Sequence, residues 1–411
     1  MTAGGEILVV GAGLVGSSVA MHLAELGVQK IRVIDFDLEG SLSSSELNAG
    51  GVRATWLEPL NVQMSRGSIN YFSKVAEEVG YRACGYLWLH PDSRMKAVEL
   101  AVAKQNENGW PVDLLSVKQI QDKIPFLDKT DGVAGGVFSA RDGLINPNLL
   151  KNHFRARAKK RGVLFEDRAL LREARFSESG GKVRVRVEKF EAVMSHETKK
   201  EVLTQRQPQE GLRNLVEFEV DTLINCAGPW ASDVAKILGY SCPSFPVRRQ
   251  VSIFDCREID LTPYGMIVDT SGVYFHPEAT NGLAGFATQE PKGYNFDYDG
   301  EGFFQEHIWP ALYERSSSFE KLKHVTGWAG LYEVSPDECA ILGAVNRGPA
   351  GSSGRLFEAH SFSGHGVMQS YTAGLGLAEK IVQGKYQTLD LAPLGAERFE
   401  TGKLLNEKWV I

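Results

Sequence analysis

The chain has 411 residues, 43% of them apolar and 23% charged, which is the make-up of a globular protein with a large core, and lengths of this order divide into two or three domains. A formal net charge of −6 gives no electrostatic attraction to nucleic acid or anionic lipid. Five scattered cysteines (Cys84, Cys226, Cys242, Cys256, Cys339) form no C-x-x-C pair and have no histidine at ligand spacing, so reduced thiols and no metal site are expected.

In chain order, the first informative stretch is 7–20, ILVVGAGLVGSSVA. Ile7, Leu8, Val9 and Val10 read as a short buried strand, and Val19, Leu23 and Leu26 as the apolar stripe of a helix. Between them stand Gly11, Gly13 and Gly16 in G-x-G-x-x-G spacing, with Ala12, Leu14 and Val15 filling the turn. Gly11 suits the tight turn, Gly13 the approach of backbone to a pyrophosphate, and Gly16 close packing of helix on strand. Alone, the pattern is equally a plain strand–turn–helix. A second strand at 30–34 running into Asp35 and Phe36 supplies the acid that a ribose hydroxyl requires about 20 residues on. Together these features predict an adenine dinucleotide site. Residues 7–24 carry no charge, but three glycines and no basic flank argue against a membrane span. Residues 1–6 hold Glu6 and no Lys or Arg, so no signal peptide is expected. The expected compartment is the cytoplasm, or an organelle matrix if a targeting segment lies outside this sequence.

Beyond Asp35, Ser43, Ser44, Ser45, Gly50 and Gly51 make a polar loop fit to clamp a pyrophosphate, or an ordinary surface loop. Arg53 follows, facing either a ligand or solvent. Helices are predicted at 62–79, 94–108, 116–123 and 148–161, and strands at 86–90 and 133–139. The basic run in 148–161 reads as a solvated helix face. Parallel-type strands are expected at 163–166 and 169–176. The alternation at 183–187 and 216–220 marks half-solvated antiparallel strands, with 196–213 an exposed turn between them. A buried strand at 222–226 ends in Ala227-Gly228-Pro229-Trp230, a second place where backbone can touch a cofactor. Strands are predicted at 247–254, 266–268, 273–276 and 283–288, and helices at 302–313 and 320–323. A strand at 355–360, the loop 362–366 and a helix at 367–382 return to the first pattern.

Read jointly, GAGLVGSSVA, SSSELNAGGVR, INCAGPWA, GLYEVSPDECAILG and FSGHGVMQSYTAGLGLAEKI resemble the successive signatures of the D-amino-acid oxidase-type FAD-dependent oxidoreductases, over essentially the whole chain. That superfamily includes glycine and sarcosine oxidases and dimethylglycine dehydrogenase. The last 50 residues are most similar to the FAD-dependent oxidoreductase domain-containing group. The resemblance implies a Rossmann-like FAD-binding α/β domain (1–80, 140–245, 326–411) interleaved with an antiparallel α+β substrate domain (81–139, 246–325). It assigns Gly11, Gly13 and Gly16 to the pyrophosphate, Asp35 to the ribose, and Ser43–Ser45 with Gly51 to the pyrophosphate and flavin. Leu171 falls to adenine, Ala227, Gly228 and Trp230 to the ribityl chain, and Gly364, His365, Gly366, Val367 and Met368 to the flavin pyrimidine. Relatives that attach the flavin covalently use a histidine or cysteine where this chain has Asn48 and Gly330, so the FAD is expected to be non-covalent. Sarcosine oxidases hold the substrate carboxylate with a lysine where Met368 stands, and carry an oxygen-activating lysine that 281–286 lacks. Sarcosine and direct oxidase chemistry are therefore disfavoured.

The implied reaction is hydride transfer from a secondary amine or N-alkyl amino acid to flavin N5, with oxygen or a carrier as electron acceptor. Candidate substrate contacts are Arg53, Arg248, Tyr274, His276, Tyr332 and His365; Tyr274 and His276, two apart on one strand, share a face. The glycines around His365 also suit a backbone-only role. Alternatives are a 2-hydroxy-acid dehydrogenase and a flavin-stabilised assembly factor for a respiratory complex.

Overall fold

A computed structural model of the chain describes residues 5–177, 181–205, 214–405 and 407. Glu6–Val10 lies inside a six-stranded sheet, parallel to Lys30–Ile34 on one side and Thr222–Asn225 on the other. Leu164–Glu166 extends the first side, Leu356–His360 the second, and Ile341–Ala344 closes that edge antiparallel. Ile7, Leu8 and Val9 are buried completely, as a strand covered on both faces requires. Helix Leu14–Glu25 packs against helices Gly366–Gln383 and Pro147–Lys159. The first of these crossings is close: a Cβ on Gly374 would stand 2.2 Å from Ser18 Oγ.

A three-stranded antiparallel sheet (Ala169–Phe176, Val183–Lys189, Asn214–Val220) lays Leu171, Val183, Val185 and Val187 against Leu8, Val10 and Leu223. Residues 169–176, expected as a parallel strand, are therefore the first strand of this meander. Arg168, at φ 51°, turns the chain out of the parallel sheet. The expected turn over 196–213 is corrected for its first part, where His196–Gln205 forms a helix; 206–213 lie outside the described residues. Its Glu, Lys, Leu and Gln are good helix formers, and only Val202 and Leu203 are buried, too few to show a period. The helix expected at 320–323 is absent. A single turn at Ser317–Phe319 gives way to the strand Lys323–Val334.

An eight-stranded sheet is built from Tyr86–His90, Asp113–Ser116, Gly135–Ser139, Phe245–Asp255, Met266–Val268, Tyr274–Glu278, Asn281–Phe286 and Lys323–Val334. The last of these crosses the boundary expected at 326. It also ties this sheet to the serine loop, because Ser44 Oγ donates to Leu331 O (2.6 Å) and Trp328 Nε1 to Leu47 O (3.0 Å). Among the described residues no helix is long and apolar enough to cross a membrane.

Candidate active site

One cleft runs along this junction, with about 1930 Å³ of empty space counted out to its mouth. Its lining runs from the glycine loop to the strands of the eight-stranded sheet, a length of wall that suits a dinucleotide together with a substrate. At one end, Gly11, Gly13, Leu14 and Val15 line it, while Ala12 and Gly16 lie behind. Gly11 (φ 102°) crosses the end of the neighbouring strand so closely that a Cβ would stand 2.3 Å from Cys226 O. A Cβ on Gly16 would reach 2.0 Å from Gly11 O, which is the helix-on-strand packing its spacing predicts. Asp35 and Phe36 also line the cleft. The Asp35 carboxylate accepts from Ala12 N (2.6 Å) and Asp37 N (2.9 Å), and burial raises it above the ordinary carboxylate range.

Ser43, Ser44, Ser45 and Gly51 line the next stretch, and Gly50 stands behind it against Ile145 O. Ser45 Oγ accepts from Leu14 N at 2.9 Å, fastening the serine loop to the first turn of the glycine-loop helix. Behind both loops lies the basic helix, and the expectation of a solvated face, which holds for Lys159, Lys160 and Arg161, is corrected for Lys151 and Arg155. Lys151 is buried and bonds the Glu46 carboxylate and Glu39 O. Arg155 donates to Ala12 O, to Leu38 O (2.5 Å) and to Ser17 Oγ (3.2 Å). The wall is completed by Leu171, by Ala227, Gly228 and Trp230, and by Leu203 of the helix that sequence patterning missed. Trp230 Nε1 donates to Leu203 O (2.8 Å).

The opposite end is built by the loop before helix Gly366–Gln383. Ser361 (φ 60°), Ser363 (φ 49°) and Gly364 (φ 91°) hold left-handed backbone, which brings Gly364, His365, Gly366, Val367 and Met368 to the cleft. A Cβ on Gly364 would stand 2.6 Å from the Tyr332 ring. His365 is buried 4.1 Å from the Trp56 ring, and neither of its nitrogens has a hydrogen-bond partner among the described residues. Burial, reinforced by Arg53, keeps it well below its ordinary pKa and so neutral.

Glu333, which was not among the residues expected here, also lines the cleft. Its Oε1 accepts from Phe362 N (3.3 Å), while its buried Oε2 has no partner among the described residues. Burial raises it to about 7, against the opposing pull of His360 and of the Phe362 and Ser361 amides. Unmatched buried polar atoms on a wall otherwise satisfied mark places where a bound group completes the bonding. His365, Glu333 Oε2 and the glycine cradles thus fit a polar dinucleotide whose far end is a flat ring.

Arg53, Tyr274, Tyr332 and His365 come together here, with Trp56, Tyr86, Arg249 and Met266, which sequence reasoning passed over. The Arg53 guanidinium lies 3.4 Å from the Trp56 ring centroid and donates to Thr55 O (2.7 Å). Two expectations are corrected. His276 does not line the cleft: it shares Tyr274's face, but Ala49 backbone lies against its ring and its Nδ1 is engaged with Pro277 O (2.8 Å). Arg248 points away, paired with Glu290 (3.0 Å) and Asp299 (2.9 Å), and alternation along the strand sends Arg249 into the cleft. A strand's periodicity says that adjacent arginines part company; it does not say which one faces inward.

Comparison with known proteins agrees with this arrangement. The chain is 29% identical to FAD-dependent oxidoreductase domain-containing protein 1 of Xenopus laevis, over 99% of this chain and 85% of that one. It is 25% identical to human mitochondrial dimethylglycine dehydrogenase, over 96% of this chain and 44% of that one. Its fold superposes on L-proline dehydrogenase from P. horikoshii with a TM-score of 0.81 at 22% identity, covering 98% and 99% of the two chains. A family model described as FAD dependent oxidoreductase matches residues 6–380, and the chain belongs to this DAO family of FAD-dependent oxidoreductases.

Proposed function

We propose that the cleft holds FAD non-covalently and oxidises the C–N bond of a secondary amine or N-alkyl amino acid. The supporting observation is continuity: one cleft leads from the glycine loop and Asp35 to a chamber walled by Arg53, Trp56, Tyr86, Tyr274 and Tyr332. Asp35 would take the ribose, the glycine and serine loops the pyrophosphate, and the 364–368 loop the flavin ring. Asn48 and Gly330 line the cleft without a nucleophile, which supports a non-covalent cofactor. Bound FAD would supply the two-electron oxidation of the amine-bearing carbon, and water would hydrolyse the imine that is left.

The protein's part is positioning and polarity. Arg53, pinned on Trp56, orients a carboxylate. The first amides of helix Gly366–Gln383 favour negative charge at the ring they face. The three phenols and Trp56 exclude water from the reacting carbon. No general base is required if the amine arrives neutral.

The test is the visible spectrum of the purified protein, followed by anaerobic titration with N-methyl amino acids, proline and 2-hydroxy acids. Bleaching of a flavin band by an amine is expected. A colourless protein that takes up no FAD, or bleaching by hydroxy acids alone, overturns the reading.

A further inference from the structure

We propose that Arg249 is a second anion-binding point in the substrate chamber, so that the preferred amine carries two carboxylates, one held at Arg53 and the other at Arg249. This rests on the amine reading above and narrows it.

Arg249 enters the chamber on the face of Phe245–Asp255 opposite Arg248. Arg248 is neutralised by Glu290 and Asp299; Arg249 has no carboxylate within ion-pair distance among the described residues. Its Nη1 donates to Arg248 O (2.8 Å), and its buried Nε is unmatched. The Nε/Nη2 edge is therefore the open one, and that edge fits the two oxygens of a carboxylate. The guanidinium carbon stands 5.2 Å from the centroid of the Tyr332 ring. Arg53, Arg249, Tyr274 and Tyr332 line the same chamber, and the buried Tyr332 phenol lies within the electrostatic reach of both cations.

The acids that act on this space do not cancel it. Glu338 reaches Arg249 only through space. Asp142 and Glu407 act on Arg53, but Asp142 already accepts from Ala54 N and Trp110 Nε1, and burial lifts it to about 7. A substrate with a single carboxylate, held at Arg53, would leave the half-buried Arg249 guanidinium without an anion, which penalises it against a diacid.

The experiment uses the FAD-loaded protein and pairs of compounds differing by one carboxylate. Thiodiacetate and (methylthio)acetate, which cannot be oxidised at an amine, are titrated by their perturbation of the flavin spectrum. N-(carboxymethyl)glycine and N-methylglycine are compared for anaerobic bleaching. The diacid of each pair is expected to bind at least about 30-fold more tightly, the usual scale for losing one partner of a desolvated charge pair. Arg249→Leu should bring that ratio below about 3-fold, with Arg249→Lys in between. If Arg249→Leu does not fold, Arg249→Gln replaces it, provided that its melting curve and flavin spectrum match the parent. Equal affinity for both members of a pair, or a ratio unmoved in the variant, overturns the assignment. If no amine bleaches the flavin the amine reading fails, while the thiodiacetate titration still decides Arg249.

Discussion

Glu333 and Gly228 face each other across the cleft wall: a Cβ on Gly228 would stand 3.0 Å from Glu333 Oε2. Glycine there keeps a side chain off the unmatched, buried carboxyl oxygen, beside the turn that the family resemblance assigns to the cofactor's ribityl chain. In the flavin-free protein the same carboxyl is a liability whose size depends on pH.

Glu333 ionises about 7 when folded, against an ordinary 4.5. Below the lower value both folded and unfolded states hold the proton and there is no penalty. As pH rises between the two values the unfolded chain releases it first, so stability falls; above the upper one the loss is constant. Glu333→Gln should thus gain roughly 2–4 kcal/mol on the parent between about pH 4 and pH 8. Urea unfolding of the flavin-free proteins across that range measures it. Parallel pH profiles would rule it out, and the slope left in the variant is assigned to Asp142, which burial also raises to about 7.

Gly364 is held at φ 91° with the Tyr332 ring at 2.6 Å from the Cβ position, whereas Gly384, at the far end of the same helix, has φ 78° and open space. Gly364→Ala should weaken FAD binding at least about tenfold by displacing Tyr332, on top of about 1 kcal/mol of backbone strain. Gly384→Ala should show the strain alone. Flavin-fluorescence titration of the two flavin-free variants separates these outcomes.

Arg155 bonds the backbone of the glycine loop at Ala12 O and of the segment after Asp35 at Leu38 O, whereas Lys160, which caps the same helix, is exposed. Arg155→Met is expected to cost about 2–4 kcal/mol and to loosen FAD. Lys160→Met should stay within about 0.5 kcal/mol. Thermal melts with and without added FAD report both.

Burial, reinforced by Arg53, holds the His365 pKa well below its ordinary value and so favours the neutral ring. The pH profile of anaerobic flavin reduction should keep its shape in His365→Leu above about pH 6.5, the ordinary histidine value. A limb present in the parent and missing in the variant would contradict this.

The cofactor half of the cleft was legible because its chemistry is done by backbone. Glycines at Gly11, Gly16 and Gly364 are forced by contacts under 3 Å, and such necessity is written as a residue type at a fixed spacing. The substrate chamber is made of side chains from distant strands, and only tertiary placement decides which enter. Arg249 rather than Arg248, and Tyr274 without His276, follow from where the sheet and the 48–50 segment sit. Lys151 and Arg155 misled for a related reason: a basic stripe looks solvated until carbonyls such as Ala12 O and Leu38 O are found facing it. Glu333 was hidden because a carboxyl between Tyr332 and Val334 has no local mark of burial.

The close crossing of helices Leu14–Glu25 and Gly366–Gln383 has a consequence for biogenesis. As the ribosome delivers the chain, the glycine loop emerges more than 300 residues before strand Leu356–His360 and the helix after it. Until then the nascent polypeptide has a half-built cradle with no floor. Vitamin-derived cargo can be captured only once that second half of the cradle has been made, so loading is a late checkpoint in the maturation of this fold, and riboflavin starvation should leave an unlocked apoprotein exposed to cellular proteases.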